Sequence, residues 1–144
     1  MLLELKRGGL KLTPQRLAIV REIADDTSHP TAQELFDRLQ RSFPTMSFAT
    51  VYNTLDSLAQ LGLIGSIRLG TAVRFDPNIA DHHHAVCDAC GSVIDVDSTP
   101  LDPAERLSLS RKSSFLVRSE ERVYRGLCGS CANHTSRASR STRA

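Results

Sequence analysis

Residues 31–62 read TAQELFDRLQ RSFPTMSFAT VYNTLDSLAQ LG, from Thr31 to Gly62, and two helices separated by a short turn are legible in them. Thr31-Ala-Gln-Glu34 is a capping box, in which the threonine hydroxyl accepts from an early helical amide and the glutamate returns to the cap amide. It opens a helix with Leu35, Phe36 and Leu39 inward that stops near Phe43. Pro44-Thr45-Met46 forms a three-residue turn, Ser47 caps again, and Val51, Leu55, Leu58 and Ala59 recur at helical spacing before Gly62 closes the second helix. The other face of that helix carries Thr50, Asn53, Thr54, Ser57 and Gln60. Two helices so joined predict a helix-turn-helix whose second member reads a DNA major groove.

Toward the N-terminus, Thr13-Pro14 is an N-cap followed by proline in the first turn, and Leu17, Val20, Ile23 and Ala24 continue a helix from Pro14 to Ala24. Asp25, Asp26, Ser28 and Pro30 end it. Toward the C-terminus, β-like runs at Ile64–Leu69 and Ala72–Phe75 flank Gly70-Thr71, a hairpin that serves as the wing. Asp76-Pro77-Asn78 is a turn, which divides the chain into a winged-helix DNA-binding domain at 1–76, a hinge at 77–80 and a second domain at 81–132. The second domain is a small α/β unit: strands at His82–Val86 and Val93–Val96, a helix capped by Asp102-Pro103, and strands near Phe115–Val117 and Val123–Leu127. Residues 133–144 are a Ser/Thr/Arg-rich basic tail containing Arg137, Arg140 and Arg143, expected to be mobile. The fold class is α+β.

A chain of 144 residues split in this way leaves neither half a large core, so a staple or a partner subunit is expected. The hydrophobic fraction of 40% excludes a disordered chain. No segment has the length of a signal peptide core or a membrane span, which predicts a cytoplasmic protein. In a reducing compartment its four cysteines point to metal rather than to disulfides. A formal charge of +2 neither requires nor excludes a nucleic-acid partner.

Two constellations carry chemistry. Cys87-Asp-Ala-Cys90 and Cys128-Gly-Ser-Cys131 are knuckles that each place two thiolates on adjacent corners of a tetrahedron, together a closed structural zinc site. The competing reading, a pair of redox dithiols, fits a chain with two such motifs less well. On a strand, His82 and His84 of Asp81-His-His-His84 project to one face and His83 to the other. With His29, Asp76 and Asp95 they would complete a nitrogen and oxygen site suited to iron(II), manganese(II) or zinc. The alternative is a surface cluster of histidines beside turn-capping aspartates. A metal-dependent hydrolase would need an open coordination position, a pocket and a general base, for which no residue set is evident. A zinc-stabilised interaction module without DNA is a third reading.

Leu12-Thr-Pro-Gln-Arg16, His29-Pro-Thr-Ala, Ala49-Thr-Val-Tyr52, Arg74-Phe-Asp76, His82-His-His-Ala-Val-Cys87 with Cys90, and Cys128 with Cys131 occur in an order that resembles the ferric uptake regulator family over nearly the whole chain. The combination His29, Asp76, His82, His84 and Asp95 is similar to the regulatory site of its peroxide-responsive branch, with Asp where iron-uptake repressors often carry Glu. The resemblance implies a homodimeric, non-enzymatic repressor that binds pseudo-palindromic double-stranded operators when loaded with Fe2+ or Mn2+, with Zn2+ structural. It implies sensing by oxidation of a ligand, His29 or His82 by position. Level sensing of iron, manganese or zinc remains open. A second metal site of the family would fall on Asp81, His83, Asp102 and Glu120, but Glu120 stands where histidine is usual and Asp102 is accounted for as a cap. Asn53 stands where iron-uptake repressors often carry arginine, and residues 47–61 contain no Lys or Arg, so base reading is assigned to Asn53, Thr50 and Tyr52. Lys11, Arg16, Arg68 and Arg74 are the expected backbone contacts, with solvated surface charge as the alternative.

Overall fold

The computed structural model describes Leu5, Gly9 and residues 11–97, 102–117 and 120–134. The chain divides into two compact units, Met1–Ile79 and Ala80–Ala144. Among the described residues no helix is long and apolar enough to cross a membrane.

The first unit contains α1 (Pro14–Ala24), α2 (Ala32–Gln40) and α3 (Phe48–Gln60), followed by β1 (Gly65–Leu69) and β2 (Ala72–Asp76). Each helix starts where a side chain can satisfy its free amides. Thr13 Oγ accepts from Arg16 N, Ser47 Oγ accepts from Thr50 N, and Thr31 with Glu34 closes a complete capping box. Three stripes of apolar residues then meet in one core, with Ile19 and Ile23 from α1, Leu35 from α2, and Val51, Leu55 and Leu58 from α3. Ile64 and Phe75 close it from the hairpin side. β1 and β2 pair antiparallel from Gly65↔Asp76 to Leu69↔Ala72, and Gly70 turns between them at φ 63°, the left-handed conformation that a two-residue hairpin requires.

One residue of α3 lies inside rather than outside. Thr54, expected on the polar face, is buried. Its hydroxyl donates to the Thr50 carbonyl at 2.6 Å, so no polar group is left unpaired and the methyl group joins the core.

The second unit contains β3 (His83–Cys87), β4 (Val93–Val96), α4 (Pro103–Ser113) and β5 (Val123–Gly126). β3 is the central strand, antiparallel to β4 and parallel to β5. Its core is small: Val86, Cys87 and Val93 are buried, whereas α4 buries none of its residues. Asp102 caps α4 by accepting from Ala104 N, and residues 129–134 form a short helical turn after β5.

The strand expected near Phe115–Val117 does not form. Ser114 ends α4 in the left-handed region at φ 53°, Phe115 N donates to the Ser110 carbonyl, and Val117 N donates to Ser110 Oγ. The segment is folded back on its helix as a C-cap, so those amides are not offered to a sheet. Residues 135–144, which include Arg137, Arg140 and Arg143 of the basic tail, lie outside the described residues.

Candidate metal centres

The four cysteines come together within the second unit. Cys87 ends β3, Cys90 follows in the turn toward β4, and Cys128 and Cys131 enter from the segment after β5, which the parallel β3–β5 pairing brings alongside. Their sulfurs all lie within 4.8 Å of one another, and all four are free thiols. The Cys90 and Cys128 sulfurs are 3.8 Å apart. A tetrahedron with metal–sulfur bonds of about 2.3 Å has an edge of about 3.8 Å, so the set has the dimensions of a closed four-thiolate zinc site.

Local donors prepare these thiols. The Cys87 thiol is lowered to about 6, first by the backbone N–H of Cys128 and then by that of Cys90. Cys128 N donates to Cys87 Sγ at 3.3 Å. Cys90 is lowered by the Ser92 hydroxyl and backbone, whereas Cys131 is raised to about 12 by its neighbours Cys128, Cys90 and Cys87. Four thiols cannot all ionise so close together without a cation, and a dication reverses that penalty.

A second set of ligand atoms occupies one end of the same sheet. His84 on β3 lies opposite Asp95 on β4, and His82 immediately precedes the strand. The Nε2 atoms of His82 and His84 are 2.8 Å apart, and His82 Nε2 is 3.7 Å from Asp95 Oδ1. Two nitrogens bound at a right angle about 2.1 Å from one ion would be about 3 Å apart, so the pair has the spacing of adjacent ligands. His82 Nδ1 donates to the Ala80 carbonyl at 2.7 Å, which makes Nε2 the ring nitrogen that could ligate a metal, and His84 Nδ1 lies 3.2 Å from Glu121 Oε1. Glu121 was not singled out from sequence, because its nearness depends on the β3–β5 register.

In the first unit, His29 and Asp76 form a buried pair, with His29 Nε2 3.8 Å from Asp76 Oδ2. Asp76 ends β2 and its other oxygen accepts from Asn78 N, an Asx turn that fixes the carboxylate. His29 stands in the loop between α1 and α2 at φ 52°.

Asp81, His83, Asp102 and Glu120 do not converge into a ligand group. Asp102 is the α4 cap, Glu120 is paired with Arg122, and the ring of His83 is buried against Tyr124.

Of the expected DNA contacts, Tyr52 and Asn53 are exposed on α3, with Phe48 stacked near Tyr52. Thr50 is half-buried and shares a hydrogen bond with Ser47. Lys11 and Arg68 are exposed. Arg16 donates to the Lys11 carbonyl, and Arg74 is turned inward, donating to the His29 carbonyl at 2.9 Å and lying 3.3 Å from Glu34 Oε2.

The profile of the ferric uptake regulator family matches residues 7–124. The chain belongs to the ferric uptake regulator family. Its members are metal-dependent transcriptional regulators, not enzymes, and bind DNA operators as dimers. This regulator is 37% identical over 129 residues to the peroxide operon regulator of Bacillus subtilis, covering 89% of this chain and 88% of that one. It is 34% identical over 128 residues to the peroxide-responsive repressor PerR of Staphylococcus epidermidis, covering 88% and 85%. Its fold is similar to the crystal structure of the Campylobacter jejuni peroxide stress regulator, with a TM-score of 0.65, 29% identity and coverage of 91% and 98%.

Proposed function

We propose that this regulator is a cytoplasmic, homodimeric peroxide-sensing repressor that holds one structural zinc ion and one regulatory iron(II) or manganese(II) ion per chain. Zinc is assigned to Cys87, Cys90, Cys128 and Cys131. The regulatory ion takes His29 and Asp76 from the first unit and His82, His84 and Asp95 from the second. The observation that carries this reading is the His82–His84 pair, whose Nε2 atoms converge at 2.8 Å beside Asp95. Aspartate rather than glutamate at 76 and 95, and the similarity to the Bacillus subtilis peroxide operon regulator, favour the peroxide-responsive branch.

The chain's residues divide the work. Ala80 holds the His82 imidazole with Nδ1 outward, so that Nε2 presents its lone pair. Asp76 and Asp95 supply hard anionic oxygens, and the absence of thiolate from the set suits iron(II) and manganese(II). Ligands drawn from both units favour the arrangement in which the two α3 helices of a dimer meet successive major grooves about 34 Å apart. Asn53, Thr50 and Tyr52 then face base edges, while Lys11, Arg16 and Arg68 face phosphates. The second unit leaves Ile94, Leu107, Phe115 and Leu116 exposed, an apolar surface suited to a second copy. Iron(II), when bound, supplies one-electron chemistry with hydrogen peroxide that manganese(II) does not. The oxidised residue is a ligand imidazole, His29 or His82, which gains one oxygen atom from peroxide as water leaves.

Fluorescence anisotropy tests this reading under anaerobic conditions at fixed salt, on the DNA upstream of the protein's own gene. Both metals should promote binding, and peroxide should abolish it for the iron form alone, with one oxygen atom added to the peptide holding His29 or His82. If peroxide changes neither form, the protein reports metal level. If neither metal changes DNA affinity, the bridging mechanism is wrong.

A further inference from the structure

We propose, resting on the bridging reading above, that Arg74 and Glu34 form a clamp that positions the metal ligand His29, and that Arg74 serves the metal site rather than a DNA phosphate. His29 is held at φ 52°, a left-handed conformation that a residue with a side chain keeps only when its surroundings impose it. Those surroundings are on β2. Phe75 N donates to the Pro30 carbonyl at 2.9 Å, and Thr31 bridges to Arg74. The Arg74 Nη1 donates to the carbonyl of His29 itself at 2.9 Å. The same nitrogen lies 3.3 Å from Glu34 Oε2, the oxygen that accepts from Thr31 N at 2.7 Å in the capping box. One carboxylate thus ties the guanidinium to the first turn of α2.

Alternation along β2 explains the choice of residue. Arg74 and Asp76 are two apart and share a face. Arg74 holds the backbone of His29 while Asp76 meets its ring, so both parts of the ligand are set by one strand. The Arg74 side chain is only 18% exposed. With Nη1 committed to the His29 carbonyl and to Glu34, a shift of the side chain out to a phosphate would loosen its hold on the loop.

Manganese(II) alone, titrated into zinc-loaded full-length protein against a fluorescent chelator, tests the clamp through the variants Arg74→Gln, Glu34→Gln and His29→Ala. Arg74→Gln should weaken manganese(II) binding about tenfold or more, the range for residues that orient a metal ligand, without lowering the melting temperature of the metal-free first unit. With manganese(II) saturating, its plot of log operator affinity against log salt should keep the wild-type slope, whereas loss of a phosphate contact would flatten that slope by about 0.9. Wild-type manganese(II) affinity in Arg74→Gln overturns the clamp, and a flattened slope overturns the exclusion of phosphate. Should Arg74→Gln destabilise the unit, Glu34→Gln decides. It retains an acceptor for Thr31 N, and the clamp requires weaker manganese(II) binding, whereas unchanged affinity overturns it. If His29→Ala binds manganese(II) as wild type does, the bridging reading has failed and the clamp fails with it.

Discussion

His29 and Arg74 illustrate what a residue's type reveals and what it conceals. A histidine before proline and an arginine on a wing strand read naturally as a candidate ligand and a phosphate contact. The arginine's charge did not disclose its direction, because inward or outward is decided by hairpin register and by the Glu34 carboxylate across 40 residues of chain. Glu121 was concealed for the same reason, since its neighbour His84 lies on a different strand. The cysteines were legible because each knuckle is local, and only the meeting of the two pairs needs the fold. Cys87 gives a prediction with a definite sign. Its thiol is lowered from 9.0 to about 6 in the folded protein, so its ionisation contributes stability fully above 9.0, and this contribution shrinks on acidification until it is gone below about 6. Protons and zinc compete for the same sulfur. Cys87 should therefore cost zinc retention only as the pH falls through about 6, so a chelator titration at fixed free zinc, run from pH 9 to pH 5, should steepen near 6. Zinc loss that steepens near pH 9 and not near pH 6 would show that the N–H donors of Cys128 and Cys90 do not set the thiolate.

At the scale of elements, the parts of the fold that sequence disclosed are those decided within a few residues. Caps at Thr13, Thr31, Ser47 and Asp102 depend on one side chain and an amide two or three positions on, and the four helices they open begin where these residues direct. The hairpin follows from Gly70. What failed to follow turned on local hydrogen bonds that residue type alone does not disclose. Phe115-Leu116-Val117 has strand composition, but the left-handed Ser114 returns its amides to Ser110. Thr54 looks polar, yet a bond to its own helix lets it enter the core. The capping box of α2 carries the element-scale prediction, because it also closes the loop that holds His29. Thr31→Ala removes the acceptor for Glu34 N, at a cost of about 1 kcal/mol. In a unit of this size that should lower the melting temperature by roughly 4–8 °C, followed by the helical circular dichroism of metal-free protein. An unchanged transition would mean that the β2 contacts alone hold this helix start.

The whole molecule combines a first unit with its own helical core and a second whose buried residues are few. Among the described residues of the second unit only Val86, Cys87 and Val93 are buried and apolar, beside the buried His83 and His84, and α4 buries none. That is too little to offset the entropy of ordering the unit, so we expect its stability to come from zinc and from a second copy. Stripping zinc with a chelator under reducing conditions should unfold the second unit and dissociate the dimer together, while the helices of the first unit persist. A structural zinc site contributes on the order of 10 kcal/mol, well beyond what this core can replace. A dimer that survives zinc removal by sedimentation would place its stability elsewhere. The regulatory ion of the proposed function would have a different role, acting on an equilibrium of a folded protein. If manganese(II) raises operator affinity by some factor, operator must raise manganese(II) affinity by the same factor, because both are read from one thermodynamic cycle. Allosteric couplings of this kind are about 5–150-fold, which both titrations can resolve. Measured at one salt concentration on wild type and on Asp95→Ala, the two factors should agree in wild type and both fall toward one in the variant. Agreement in wild type with no loss in Asp95→Ala would keep the coupling but move it away from the His82–His84–Asp95 end of the sheet.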